Sequence, residues 1–217
     1  MYNSFRSKYI LIIMTKQLSP KYLQEKKLIV FDLDGTIVRL KVNWKHLKKL
    51  LEEKYYNTYE EHLKVKSISG SLSYIVNRGD EETLQEFLAY IRDYELKNVT
   101  QNEPIDETVY FIAHKEEFGI SKDTPLAILS LNARETITTS LKQANIYQKI
   151  DYIIGREDVR RWKPHPEGLI LIQNHFEVPK AAMIYIGDMK KDLITGKNAG
   201  VDAFIIKDFK EFVNTYR

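Results

Sequence analysis

Four short runs of apolar, β-favouring residues set the frame of this chain, because each is apolar at consecutive positions and each leads into a polar cluster or a glycine. Leu28–Phe31 leads into Asp32, Leu126–Leu129 into Ser130, Tyr152–Ile154 into Gly155, and Met183–Gly187 into Asp188. Uninterrupted runs of this kind suit strands buried on both faces of a parallel sheet. Helical patterns lie between them: Ala133 to Ala144 carries Ile137 and Leu141, and Leu169, Ile172 and Phe176 share one helical face. Strand alternating with helix predicts an α/β fold with a parallel sheet. In such sheets ligands bind beyond the carboxyl ends of the strands, where these polar clusters fall.

One stretch breaks the rhythm. A strand-helix-strand unit needs only about 30 residues, and the gap from Thr36 to Leu126 is far longer. Its content is helical. Trp44, Leu47, Leu51 and Tyr55 recur at helical spacing, as do Leu84, Phe87, Leu88 and Ile91 after an N-cap at Asp80. Ser69-Gly70-Ser71 and Asn77-Arg78-Gly79 read as breaks between helices. Pro104 starts a further helix that carries Val109 and Ile112 toward Phe118. These patterns predict a helical cap over residues 41–117, inserted into a core made of residues 1–40 and 118–217.

The polar clusters carry the chemistry. In Asp32-Leu33-Asp34-Gly35-Thr36 two acids stand two residues apart at a strand end, where both project to one side. One can attack phosphorus and bind a cation while the other handles the proton. A calcium loop starting at Asp32 would need Gly where Ile37 stands and Glu where Asn43 stands, so that reading fails. Lys163-Pro164-His165-Pro166 stiffens the approach to a helix starting near Glu167 and holds Lys163 in one place. Asp188 ends a strand, and Asp192 follows four residues later, at a spacing that lets both face one spot. Each element has a plainer reading: an exposed lysine, acids at a helix N-terminus, Ser130 as a strand-end hydroxyl, Asn132 as an N-cap. Together they supply a nucleophile, a proton carrier, fixed positive charge and cation ligands. Phosphate monoester hydrolysis, among the slowest uncatalysed reactions, requires that combination.

Composition narrows the classes. With 43% hydrophobic and 29% charged residues in 217, the chain is a globular one. A net charge of +3 fits anionic small molecules as well as nucleic acid. The absence of cysteine excludes disulfides, thiolate-zinc sites and a thiol nucleophile, and fits a cytoplasmic protein. Tyr9–Met14 is apolar after Arg6 and Lys8, but it is short for a signal peptide, lacks a small-residue cleavage site and is too short to span a membrane. It reads as an extra packed segment or as sequence before a translation start at Met14.

From about Lys27 to about Ile206 the chain resembles the haloacid dehalogenase superfamily, specifically its phosphoglycolate phosphatase and β-phosphoglucomutase branch. The Lys163-Pro164-x-Pro166 element and the run from Gly187-Asp188 through Asp192 to Asn198-Ala199-Gly200 carry the resemblance most specifically. It implies a Rossmann-like core with a helical cap after the first motif. By position, Asp32 would become an aspartyl-phosphate, and Asp34 would protonate the leaving alcohol and then deprotonate water. Ser130 and Lys163 would hold the phosphoryl oxygens, with Thr36 and Asn132 also on the phosphate. Mg²⁺ would bind Asp32, the backbone carbonyl of Asp34 and Asp188, and Asp192 would support the metal or Lys163. An acid at Asp34 separates phosphatases and mutases from the dehalogenases and ion-pumping ATPases of the group.

Departures are visible. Arg39-Leu40-Lys41 follows Val38 where relatives often place Asp-Ser, Leu131 intervenes before Asn132, and Arg160-Arg161-Trp162 precedes Lys163 where Gly is common. The resemblance implies a Mg²⁺-dependent phosphatase acting on a small phosphorylated metabolite. The alternatives are a phosphomutase, or a phosphatase of nucleotides or nucleic-acid ends suggested by Arg39, Lys41, Lys45, Lys48 and Lys49. Those basic residues read as a solvated face beside Glu52 and Glu53, and neither nucleic acid nor membrane is expected as a partner. A non-catalytic binding module would have lost a motif residue, and none is lost.

Overall fold

The computed structural model describes residues 17–217, so the Tyr9–Met14 run lies outside the described residues. In chain order the strands are β1 (Leu28–Phe31), β2 (Val38–Arg39), β3 (Glu103–Pro104), β4 (Leu126–Leu129), β5 (Tyr152–Ile154), β6 (Met183–Gly187) and β7 (Asp202–Ile205). The helices are α1 (Pro20–Gln24), α2 (Trp44–Tyr59), α3 (Ile68–Arg78), α4 (Glu81–Leu96), α5 (Asp106–Ala113), α6 (Arg134–Gln143), α7 (Glu167–Phe176), α8 (Lys190–Ala199) and α9 (Ile206–Tyr216). The main sheet is parallel throughout, in the order β5-β4-β1-β6-β7. β1 is central: the chain runs outward from it through β4 to β5, then crosses back to β6 and runs outward the other way to β7. That reversal opens a crevice at the carboxyl end of β1 between β4 and β6.

Alternation along the strands divides the core in two. Ile29 and Phe31 join Ile128, Ile184 and Ile186 on one face, under Ile137 and Leu141 of α6, Phe111 of α5 and Phe209 of α9. Phe31, Phe111 and Phe209 meet edge to face, with ring centroids 5.0 to 6.2 Å apart. Leu28, Val30, Ala127, Leu129, Met183 and Tyr185 form the other face, under Leu169 and Ile172 of α7. Burying each such side chain contributes roughly 1.5–3 kcal/mol, which is why the strands need no polar alternation.

The sequence pattern anticipated the first four strands of the sheet but not β7, which is only partly buried. Other differences have local causes. Ser69-Gly70-Ser71 lies inside α3: the Ser67 hydroxyl caps the helix by accepting from Gly70 N (3.1 Å), and Ser71 Oγ donates to Ile68 O (2.7 Å). Pro104 sits in β3, whose antiparallel pairing with β2 leaves little backbone to spare for a helix start. Helix α5, expected in the insert, instead lays Phe111 and Ile112 on the sheet. The chain therefore leaves and re-enters the core through the β2–β3 ribbon, reinforced by Lys41 N donating to Asn102 Oδ1 (3.0 Å). Helices α2, α3 and α4 lie between those two crossings. No helix of the described residues is long and apolar enough to cross a membrane.

Candidate active site

The crevice is where the acids meet. Asp32 directly follows β1, and its N–H still donates to Ile186 O (2.8 Å), so the strand holds it to the last residue. Its Oδ1 accepts from Leu33 N (2.8 Å), and its Oδ2 lies 3.1 Å from Lys163 Nζ. Lys163 is buried and also reaches Asp192 Oδ1 (2.7 Å) and the Tyr185 hydroxyl (2.8 Å). Tyr185 donates to the same Asp192 oxygen (2.8 Å), while Asp192 Oδ2 accepts from Met189 N (3.0 Å). One ammonium is thus wedged between two buried carboxylates, a geometry that fixes it better than a flexible stem could.

Asp188 completes the cluster. Gly35 has φ +76°, and a Cβ there would lie 2.4 Å from Asp188 Oδ2, so glycine at this turn is what lets the Asp188 carboxylate close on Asp32. Carboxylate oxygens of Asp32, Asp188 and Asp192 lie within 4.8 Å of one another. Burial pushes the Asp32 carboxyl up to about 6, against the pull of Lys163. Burial, then Asp32, Asp192 and Asp34, pushes Asp188 up to about 7. Burial would lower Lys163, but Asp32 and Asp192 raise it. Carboxylates that crowd and resist ionisation in one oxygen-rich spot fit a divalent cation, and hard oxygen donors suit Mg²⁺.

Asp34 has different surroundings. Its Oδ1 accepts from Leu40 N (3.0 Å) and its Oδ2 from Trp44 Nε1 (3.2 Å). Burial raises it, and these two bonds pull it back. Asp32 and Asp34 both line a cavity of 330 Å³ together with Ser130, Asn132, Lys163, Asp188 and Asp192, so the structure brings most of the expected residues together. Two carboxyls in unlike environments are the arrangement that divides nucleophile from proton carrier.

Comparison with known proteins now decides the family. A sequence profile of haloacid dehalogenase-like hydrolases matches residues 29–206. The chain belongs to the haloacid dehalogenase-like hydrolase family. It is similar to pyrophosphatase PpaX of Halalkalibacterium halodurans, 28% identical over 190 residues that cover 82% of each chain. It is also similar to PpaX of Bacillus mycoides, 25% identical over 173 residues and 79% of each chain. Its fold matches a Bacteroides fragilis protein described as a haloacid dehalogenase-like hydrolase, with TM-score 0.61, 23% identity, and 82% of this chain covering 86% of that one. It also matches CbbY of Rhodobacter sphaeroides in complex with phosphate, with TM-score 0.58, 15% identity, and 83% covering 85%.

Within this hydrolase, two expectations change. Thr36, assigned to phosphate, is fully buried, its hydroxyl has no partner among the described residues, and it does not line the cavity, because the Gly35 turn sends the chain inward after Asp34. Asn132 is not the N-cap of α6, a position that Ala133 holds, and its amide is already committed: Oδ1 accepts from Ser130 Oγ (2.9 Å) and Nδ2 donates to Glu95 (3.2 Å). His165 accepts from Glu167 N (3.2 Å) and lies off the cavity, while the other four histidines each stack or tilt against a tyrosine.

Other side chains at the cavity, or bonded to residues that line it, were not picked out as site residues. Trp44 was visible only as an apolar helical residue and Tyr185 only as part of a strand, although a phenol buried on both faces needs a polar partner and could have been flagged. Lys48, read as solvated, lines the cavity half-buried, whereas Arg39, Lys41, Lys45 and Lys49 are exposed as expected. Arg156 and its partner Glu95 gave no signal, because nothing local to either residue announces a contact 61 positions away.

Proposed function

We propose that this hydrolase is a Mg²⁺-dependent phosphatase that moves the phosphoryl group of a small phosphorylated metabolite onto Asp32 and then to water. The observation that carries this reading is the Lys163 ammonium held 3.1 Å from Asp32 and 2.7 Å from Asp192, with Asp188 in the same oxygen cluster. Asp32 Oδ2 is the attacking atom: it lies on the Lys163 side, where the phosphoryl oxygens would sit, and Oδ1 faces Leu33 N. Lys163 and Ser130 receive the phosphoryl oxygens. Asp34 gives a proton to the leaving oxygen and recovers one from water, its ionised form steadied by Trp44 Nε1. When bound, Mg²⁺ held by Asp32 and Asp188 supplies charge that offsets the phosphoryl oxygens.

The segment between Lys41 and Asn102 serves as the cap, and the β2–β3 ribbon is its hinge. Lys48, Lys66 and Lys191 line the same cavity, which favours a substrate with further negative charge near its phosphoryl group. Because relatives are named pyrophosphatases, pyrophosphate is the first compound to assay. A cysteine-free chain suits work in the cytoplasm. The test is phosphate release from pyrophosphate, phosphoglycolate, sugar phosphates and nucleotides, with Mg²⁺ and after chelation. Mg²⁺-dependent release from at least one is expected. No release from any, or full activity after exhaustive chelation, would overturn the proposal.

A further inference from the structure

Glu95 occupies the last turn of α4, where an acid opposes the helix dipole, and its side chain is fully buried. A carboxylate taken from water costs several kcal/mol unless donors surround it. Every donor it finds is on the core. Oε1 accepts from Asn132 Nδ2 (3.2 Å) and pairs with the Arg156 guanidinium. Oε2 accepts from Ala133 N (3.0 Å) at the start of α6 and from Thr136 Oγ1 (2.9 Å).

Two of these partners, Asn132 and Arg156, line the cavity that receives phosphate in the reading above. Because Asn132 Nδ2 is drawn to Glu95, its Oδ1 faces Ser130 and holds that hydroxyl at 2.9 Å. Without the carboxylate the amide has no reason to keep this orientation. Arg156 N–H donates to Asn132 O (2.9 Å), and its own carbonyl accepts from Trp162 Nε1 (2.8 Å), next to Lys163. Arg156 lines the cavity, buried, and its Nη1 has no partner among the described residues. A buried guanidinium N–H with nothing to bind is costly unless an anion arrives.

We propose that Glu95 is a positioning residue of the phosphoryl site: reaching in from the insert, it fixes Arg156 with Nη1 free for the substrate's anion, and it fixes Asn132 so that Oδ1 holds the Ser130 proton until the anion draws it away. This rests on the phosphatase reading for the role of Ser130. It also makes the site a joint product of insert and core, since the core loop is set by a side chain that the core does not own.

Three proteins test it: the parent, Glu95→Gln, and the double variant Glu95→Leu/Arg156→Met, which removes the buried charge pair as a unit. Each is assayed for thermal stability, for kcat and KM on an aryl phosphate with Mg²⁺, and for inorganic phosphate affinity by calorimetry. Glu95→Gln should weaken phosphate binding about tenfold or more, as loss of a charge-assisted hydrogen-bond arrangement implies. The double variant should recover stability, because apolar replacement of a buried pair is often neutral, yet it should not recover phosphate affinity. If Glu95→Gln does not fold, the double variant carries the comparison with the parent. Parental phosphate affinity and KM in either folded variant, with only the melting temperature changed, would reduce Glu95 to a fastener and overturn the inference. A parent that binds phosphate but hydrolyses no ester would unseat the phosphatase reading and leave this one standing.

Discussion

The carboxyl edge of the sheet and the inserted helices meet at one cavity but contribute to it in opposite ways. The sheet edge brings Asp32, Lys163, Asp188 and Asp192 into contact within a few ångströms, each within five residues of a strand end or set by the rigid turn before α7. The insert brings Trp44 and Glu95, each reaching from a helix to a group on the core. The edge groups carry charge that must be neutralised locally. The insert's groups orient what is already there. The acids sit at strand ends, and the groups that bond to them or to their neighbours come from α2 and α4.

The largest expected effect breaks the edge itself. Lys163→Met leaves Asp32 and Asp192 facing each other without their cation, and removing one partner of a buried pair costs about 3–5 kcal/mol. Denaturant unfolding should show that loss, and turnover should fall by about a hundred- to a thousandfold. A folded, active Lys163→Met protein would mean that the edge does not need its fixed charge.

A smaller effect is expected from the insert. Trp44→Phe keeps most of the packing and removes the Nε1 donor to Asp34 Oδ2. That bond favours the ionised carboxyl, so its loss moves the Asp34 pKa upward. The limb of the kcat profile governed by Asp34 should shift to higher pH by up to about one unit, with kcat several-fold lower. An unmoved profile would reduce Trp44 to packing and with it the insert's part in the proton transfer.

The smallest effect concerns the metal. In the metal-free protein Asp32 and Asp188 titrate near about 6 and about 7, above the ordinary carboxylate range. The folded chain then holds protons that the unfolded chain has released. This contribution to stability is complete below about pH 4 and is lost as pH rises through those two values. The metal-free melting temperature should fall by a few degrees between about pH 5 and about pH 7.5, and Mg²⁺ should raise it most at the upper end. A shift with Mg²⁺ that is equal at both ends would separate metal binding from these carboxyls.

The same contrast explains what could be read from the chain. Asp32, Ser130 and Asp188 were legible because each adjoins an apolar run, so neighbours in sequence remain neighbours in space. Lys163 was legible through the two prolines that fix its turn. Glu95 was not, since its partners lie 37 to 61 residues away and its own helix reads as an ordinary amphipathic one. Helix α5 was assigned to the insert because its apolar spacing looks like that of α4; only the ring contacts of Phe111 with Phe31 and Phe209 show which layer it covers.

In the proposed mechanism the phosphoryl group passes through Asp32. On that mechanism Asp34→Asn keeps Asp32 and its lysine and removes the base that activates water. Mixed with an aryl phosphate labelled at phosphorus and Mg²⁺, quenched in acid after milliseconds and digested, this variant should carry the label on the peptide containing Asp32, and the label should decay more slowly than in the parent. Label on another residue, or none at any time in a variant that still turns over the aryl phosphate, would contradict it.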